Sequence, residues 1–244
     1  MLSSCRYLGL IPARGGSKGI PRKNLVRLGD RSLIQYTIEA ARQSRRLGRV
    51  LLSSDDAEII ALGLGLGVEA PFTRPAELAT DAACTVDVVL HALDWLACQE
   101  AYVPDAVVLL QPTCPFRDGS DIDAAINAHQ ASSRETLLSV SPVLQHPCEM
   151  VRVRGERLEP AVLHPSLGRA GRQAFPVYYF VDGAIYIATP RFLRARRLFH
   201  DETSAIHVID RSHGFDIDDP GQLELARALL LLRGTGAPGR GSAR

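Results

Sequence analysis

Short aliphatic runs alternate with helical periods along the first half of the chain. Tyr7–Ile11, Val50–Ser53, Ala106–Leu110 and Thr136–Val140 are compact and apolar, the pattern of strands buried on both faces of a parallel sheet. Between them, apolar residues recur at helical spacing. Leu33, Ile34, Ile38 and Ala41 share one face of a helix that Ser32 can cap. Val86, Val89, Leu90, Leu93 and Leu96 mark a second helix, and Ile122, Ala125 and Ile126 a third. Strands and helices in this rhythm are joined by right-handed βαβ crossovers. The expectation is an α/β fold, a three-layer, doubly wound and mostly parallel sheet, with ligands bound beyond the carboxyl ends of its strands.

From about 142 to 176 the rhythm stops. HPCEM, the charged VRVRGERLEP and HPSLGRAGRQAFP have prolines and no helical period, so this segment reads as a hairpin or extended insertion suited to a lid or a partner subunit. Regular patterning returns in GAIYIA (183–188) and HVID (207–210). A final helix starts after Asp219, with Pro220 at its first position and Gln222 placed to complete a capping box. RGTGAPGRGSAR has nothing to bury, so 233–244 reads as a disordered tail on a single domain spanning 1–232.

Charge narrows the partners. With 28 basic against 27 acidic residues, the net charge of +1 provides no global field toward nucleic acid or a membrane surface, so any anion site is local. The five cysteines (5, 84, 98, 114, 148) form no CxxC pair, which argues against a disulfide framework or a zinc site. The amino terminus lacks the apolar stretch of a signal peptide, and the run Ala228–Leu232 is far short of the roughly 20 residues that span a bilayer. A cytoplasmic location follows as the expectation.

A local anion site is visible at residues 8–24, LGLIPARGGSKGIPRKN. Pro12 ends the first strand, and Gly15, Gly16 and Gly19 let backbone N–H groups approach a ligand closely beside Ser17. Arg14, Lys18, Arg22 and Lys23 add full charges, as a polyphosphate would require. The loop is neither GxxxxGK[ST] nor GxGxxG. RPAELATDAACT (74–85) reads on its own as a helix start capped by Thr80 or Asp81. In LLQPTCPFR (109–117), Gln111 follows a strand end and faces the expected cleft, while Arg117 is placed to pair with Asp118 or Asp121. In FDIDDP, Asp216 and Asp218 lie on one face of an extended segment. Two such carboxylates suit Mg²⁺ in the presence of a polyphosphate, although a solvated acidic turn is an equal reading of the tripeptide alone.

These four stretches together with GAIYI (183–187), in order and at compatible spacing, resemble the CMP-sialic acid synthetase family (acylneuraminate cytidylyltransferases). The resemblance covers the chain to about residue 230 and implies a nucleotide-diphospho-sugar transferase-like fold. It implies CTP and a 2-keto-3-deoxy nonulosonic acid as substrates, a CMP-sugar acid and pyrophosphate as products, Mg²⁺ as cofactor and a homodimer joined through 142–176. It places Arg14, Lys18 and Lys23 on the triphosphate, with Gly15, Gly16 and Ser17 beside them and Asn24 near the ribose. Arg74, Ala83 and Thr85 would meet the cytosine, and Gln111, Arg172, Asp182 and Tyr186 the sugar acid. Asp216 and Asp218 would hold the metal, so that Arg14, Lys23, Asp216 and Asp218 form the catalytic set. The chain departs from the family pattern at Glu149, where HPxK has lysine, and at Asp182, where asparagine is common. Both changes are in the sugar half, leaving open a legionaminate-like sugar, another acid such as an octulosonate or phosphonate, or a CTP-binding relative without sugar turnover.

Overall fold

Strand β1, Tyr7–Pro12, shows why the sheet is covered on both sides. Tyr7 and Ile11 join one apolar core while Leu8 and Leu10 join the other. The computed structural model describes residues 6–162 and 175–234. After β1 come a short 3₁₀ turn at Lys23–Leu25, a small hairpin of β2 (Arg27–Leu28) and β3 (Arg31–Ser32), and helix α1 (Leu33–Gln43). Then follow β4 (Leu47–Ser53), α2 (Ala57–Gly65), a 3₁₀ turn at Ala76–Leu78, α3 (Thr85–Glu100), β5 (Ala106–Leu109), α4 (Gly119–Ser132) and β6 (Thr136–Pro142). A second hairpin, β7 (Val151–Arg154) and β8 (Arg157–Pro160), precedes the long β9 (Tyr179–Ala188). Helix α5 (Pro190–Arg196), β10 (Ala205–Val208) and α6 (Pro220–Gly234) complete the described chain.

The main sheet has six strands in the order β10-β6-β9-β5-β1-β4. β1 pairs in parallel with β4 and β5, and β10 pairs in parallel with β6. β9 lies between β5 and β6 and runs antiparallel to both. The sheet is therefore mostly parallel, as its patterning predicts, with one reversed central strand that the patterning does not specify. Ile34 and Ile38 of α1 and Ile122 and Ile126 of α4 fill one face. Val89, Leu93 and Leu96 of α3, with Leu193 of α5, fill the other. Area burial of this kind supplies most of the folding force.

A third apolar cluster fixes the functional end. Ile20 from the loop after β1 packs with Leu28, Leu33 and Phe116, and with Ile217 and Leu223 from the far end of the chain. The Ile217 N–H also donates to the Thr113 carbonyl at 2.9 Å, so the turn after β5 holds the same segment. Burying Ile20 and Ile217 together brings the first loop against the last acidic stretch. Among the described residues no helix is long and apolar enough to cross a membrane. The 142–176 segment contains the expected hairpin, and residues 163–174 lie outside the described part.

Candidate active site

Three loops at the carboxyl ends of the strands enclose a cleft of about 280 Å³. Arg14, Gly16, Ser17, Lys23 and Asn24 come from the loop after β1. Arg74, Thr80, Asp81, Ala83 and Thr85 come from the stretch leading into α3, and Gln111, Pro112 and Thr113 from the turn after β5. Asn24 Nδ2 donates to the Arg14 carbonyl at 2.9 Å, which ties the two ends of the first loop together. The Gly15 N–H donates to Asp55 Oδ1 at 3.0 Å, and a Cβ there would come within 2.8 Å of Asp56 Oδ2 and push the Asp56 side chain aside. Arg22 turns away from the cleft, in the left-handed region at φ 51°, and its guanidinium meets Asp56 and Glu58.

The late acidic stretch meets this loop directly. Lys23 Nζ donates to the Ile217 carbonyl and to Asp218 Oδ1, both at 3.0 Å. A Cβ on Gly19 would lie 2.5 Å from the Asp218 carbonyl oxygen, so the backbones themselves are in close approach. Asp216 and Asp218 stand close enough for their charges to interact, and Thr113 lies beside Asp216. The Cys114 thiol stands 3.7 Å behind Asp216 Oδ1. Burial raises the Asp216 pKa, and the Asp218 charge adds to the effect. Burial pushes Asp218 the same way, but the hydrogen bond and charge of Lys23 outweigh it and leave Asp218 below the usual carboxylate range. The half-buried Asp216 and the exposed Asp218, shifted in opposite directions, form an oxygen-rich site whose mutual repulsion a further cation would relieve.

At the other end of the cleft, Arg74 is buried. Its Nε donates to Ser53 Oγ at 3.1 Å and its Nη2 to the Ser53 carbonyl, anchoring it on the end of β4. Burial lowers its pKa to about 10, which leaves it cationic at neutral pH. A second hollow of about 340 Å³ adjoins the cleft and shares Thr85 and Gln111 with it. Tyr186, Phe199 and His200 form its far wall. Burial, reinforced by the acidic groups of Cys114, Asp182 and Asp216, pushes the Tyr186 phenol up to about 12, so it stays a hydrogen-bond donor.

The expected residues are therefore brought together with a few exceptions. Gly15 belongs to the loop's support, and Lys18 reaches into solvent to pair with Asp81. Asp182 is not at the cleft surface. It is 1% exposed, its Oδ1 accepts from Ser139 Oγ and from the Ala184 N–H, and burial raises its pKa. Gly183, at φ 76°, interrupts the strand's alternation and turns Asp182 toward Ser139. Arg117 does not pair with Asp118 or Asp121. It is fully buried and donates to the carbonyls of Ala184 and Gln111 and to Thr37, bracing the turn that carries Gln111. Neither Thr80 nor Asp81 caps a helix, since α3 starts after Cys84 without a side-chain cap. Arg172 lies outside the described residues. Phe199 and His200 are additions that no local pattern marks in the sequence, and Thr113, also an addition, lies inside the LLQPTCPFR stretch.

Comparison with known proteins gives the family and the fold. The family model for cytidylyltransferases matches residues 8–233. An N-acylneuraminate cytidylyltransferase from Escherichia coli is 31% identical over 91% of the chain, which spans 51% of that relative's length. A CMP-N,N'-diacetyllegionaminic acid synthase from Legionella pneumophila is also 31% identical, over 93% of this chain and 97% of its own. The fold is similar to that of a CMP:2-keto-3-deoxy-manno-octonic acid synthetase complexed with CTP, with a TM-score of 0.69 and 18% identity, covering 93% of this chain and 99% of the other.

Proposed function

Because the chain belongs to the cytidylyltransferase family, we propose that it activates a nonulosonic, sialic-acid-like 2-keto-3-deoxy sugar with CTP, giving the CMP-sugar acid and pyrophosphate. One observation carries this reading: the cationic loop after β1 and the paired carboxylates before α6 meet through the Lys23–Asp218 contact at 3.0 Å. A loop of amides and cations next to two acids is what a metal-bearing triphosphate needs on its two sides. The relatives' names support the sugar class, and the CTP in the structural neighbour supports the nucleotide.

In this reading the cytosine lies toward Arg74, Ala83 and Thr85, with Asn24 near the ribose and the triphosphate over Gly16, Ser17, Arg14, Lys18 and Lys23. The sugar acid occupies the adjoining hollow, with Gln111 between the two substrates and Tyr186 donating its phenolic proton. The anomeric hydroxyl attacks the α-phosphorus in line, and charge grows on the oxygen that bridges to the β-phosphate. Arg14 and Lys23 stabilise that charge from fixed positions, which costs no reorganisation at the moment of transfer. Asp216 and Asp218 fit Mg²⁺, which when bound would polarise the phosphoryl group and lower the pKa of the attacking hydroxyl. The departures at Glu149 and Asp182 favour a sugar other than N-acetylneuraminate, of which a legionaminate-like acid is the nearest in class.

The exposed apolar residues of the hairpin region, including Val153, Leu158 and Phe180, support a homodimer joined there. The free thiols at Cys84, Cys98, Cys114 and Cys148 support a reducing cytoplasmic setting. A pyrophosphate-release assay crossing the four nucleoside triphosphates with a panel of keto-sugar acids tests the reaction. CTP with a nonulosonic acid should exceed every other pairing; a stronger response with another nucleotide or with an octulosonate would replace this assignment.

A further inference from the structure

The cleft holds one acid to which the proposed reaction gives no role. Asp81 lies in the loop between the 3₁₀ turn Ala76–Leu78 and α3, and both its carboxylate oxygens face the loop after β1. Oδ1 is 2.6 Å from an Arg14 guanidinium nitrogen and Oδ2 is 3.1 Å from Lys18 Nζ. Both cations are ones the proposed function assigns to the triphosphate. Their pull, Lys18 first and Arg14 second, lowers the Asp81 pKa, so it is an anion at neutral pH. The other charged side chains lining the cleft are Lys23 and the buried Arg74, while the Asp81 carboxylate itself pairs with Arg14 and Lys18.

Two oxygens of one anion bridging Arg14 and Lys18 repeat what a phosphate would do in the same place. Asp81 and a polyphosphate compete for the same donors, because three anionic groups around two cations would repel one another. The contacts are half-exposed and weak in water, which makes them displaceable by a ligand with several negative charges. Displacement also reaches the base end of the cleft, since Thr80 and Ala83 lie on the same short loop as Asp81. No helix cap holds Asp81 in place, and the Thr80 hydroxyl donates to the Glu77 carbonyl at 3.4 Å.

We infer that Asp81 is an internal stand-in for the polyphosphate: it latches the loop around residues 79–84 onto Arg14 and Lys18 while the cleft is empty, and the β- and γ-phosphates displace it. This rests on the placement of the triphosphate in the proposed function. A ligand without a polyphosphate tail leaves the latch closed. After transfer, Asp81 competes with pyrophosphate for Arg14 and Lys18 and so favours its departure.

The test is calorimetric titration of the full chain and of Asp81→Asn with inorganic tripolyphosphate, CTP and CMP. The variant should bind tripolyphosphate about fivefold more tightly, and CMP within about twofold of the parent. In Arg14→Ala the effect of adding Asp81→Asn should shrink, because the latch has lost one of its two partners. Circular dichroism of each variant checks that the fold is retained. Equal or weaker tripolyphosphate binding by Asp81→Asn overturns the inference, since Asp81 would then be organising the cations rather than occupying them. The tripolyphosphate measurement involves neither cytosine nor sugar. Tighter anion binding without any cytidylyl transfer would sink the proposed function and leave the latch standing, whereas CTP turnover with unchanged anion affinity would do the reverse.

Discussion

In the proposed reaction, Asp218 and Lys23 are the residues that carry the most weight. Lys23 is largely buried and uses its ammonium on the Ile217 carbonyl and the Asp218 carboxylate, so the charge balance at this point is set by one residue from each end of the chain. Asp218→Asn keeps the shape, removes the charge and leaves Lys23 without its anion. The expected outcome is a fall in kcat of about a hundredfold or more at saturating magnesium, with little change in the far-ultraviolet circular dichroism spectrum. Turnover near that of the parent would remove Asp218 from the catalytic set. Single residues are also where the sequence is hardest to read. Asp182 is an acid beside a family motif, yet the left-handed Gly183 turns it into the core against Ser139. Arg117 resembles a surface ion-pair residue in sequence and is a buried brace in the fold. A residue's type gives its chemistry, but its direction depends on strand irregularities and packing that no local pattern records.

At the scale of elements, the segment delivering Asp216 and Asp218 is pinned to its neighbours at several points. His213 Nδ1 and Asp121 Oδ2 are 2.7 Å apart, and Asp121 in turn belongs to the capping box of α4 with Asp118. Arg233 of α6 donates to the Ser212 carbonyl and hydroxyl. The hydrogen bond to Asp121 raises the His213 pKa from its ordinary 6.5 against the opposing pull of burial; Asp118 adds to the rise and Arg233 opposes it. Asp210, on the same turn, also faces His213. Because the folded-state pKa is the higher one, this pair's stabilisation is complete below the ordinary value and fades as pH rises through the raised value. His213→Gln should therefore lose about 1 kcal/mol relative to the parent near about pH 6, with the gap closing near about pH 9. Thermal melts at the two pH values check this, and a gap that widens with pH would contradict the pair. Elements with chemical punctuation are legible in the sequence: Ser32 with Gln35 opens α1, and Asp219 with Gln222 opens α6. Helix α2 was not legible, because ALGLG gives a glycine-rich run with little amphipathic contrast. Its Asp56 cap and the packing of Gly63 against Leu52 form the helix where propensity alone does not.

Across the whole molecule, the layered sheet and the meeting of the two chain ends were legible because each rests on repeated or matched patterns. The reversed direction of β9 was not, since an apolar run marks a strand without giving its sense. What the described fold leaves exposed fits the proposed homodimer. Val153 is 70% exposed, Leu158 66%, Phe180 61% and Val177 77%, all in or beside the inserted hairpin. β7 and β8 form a separate two-stranded sheet, and a lone hairpin gains little stability in water without a surface to cover it. Near its base an apolar hollow of about 440 Å³ includes Leu144, Met150, Phe180 and Phe215 and reaches Asp216. A second copy placing its hairpin on this region would cover both apolar surfaces and close one side of the Asp216–Asp218 pair. Val153→Asp combined with Leu158→Asp changes side chains already in solvent, so the monomer fold should survive. Sedimentation velocity should show a dimer for the parent and a monomer for the double variant. Activity should fall with protein dilution in the parent at concentrations where the dimer dissociates. A parent that sediments as a monomer at every concentration while retaining full activity would assign the exposed residues to something other than self-association.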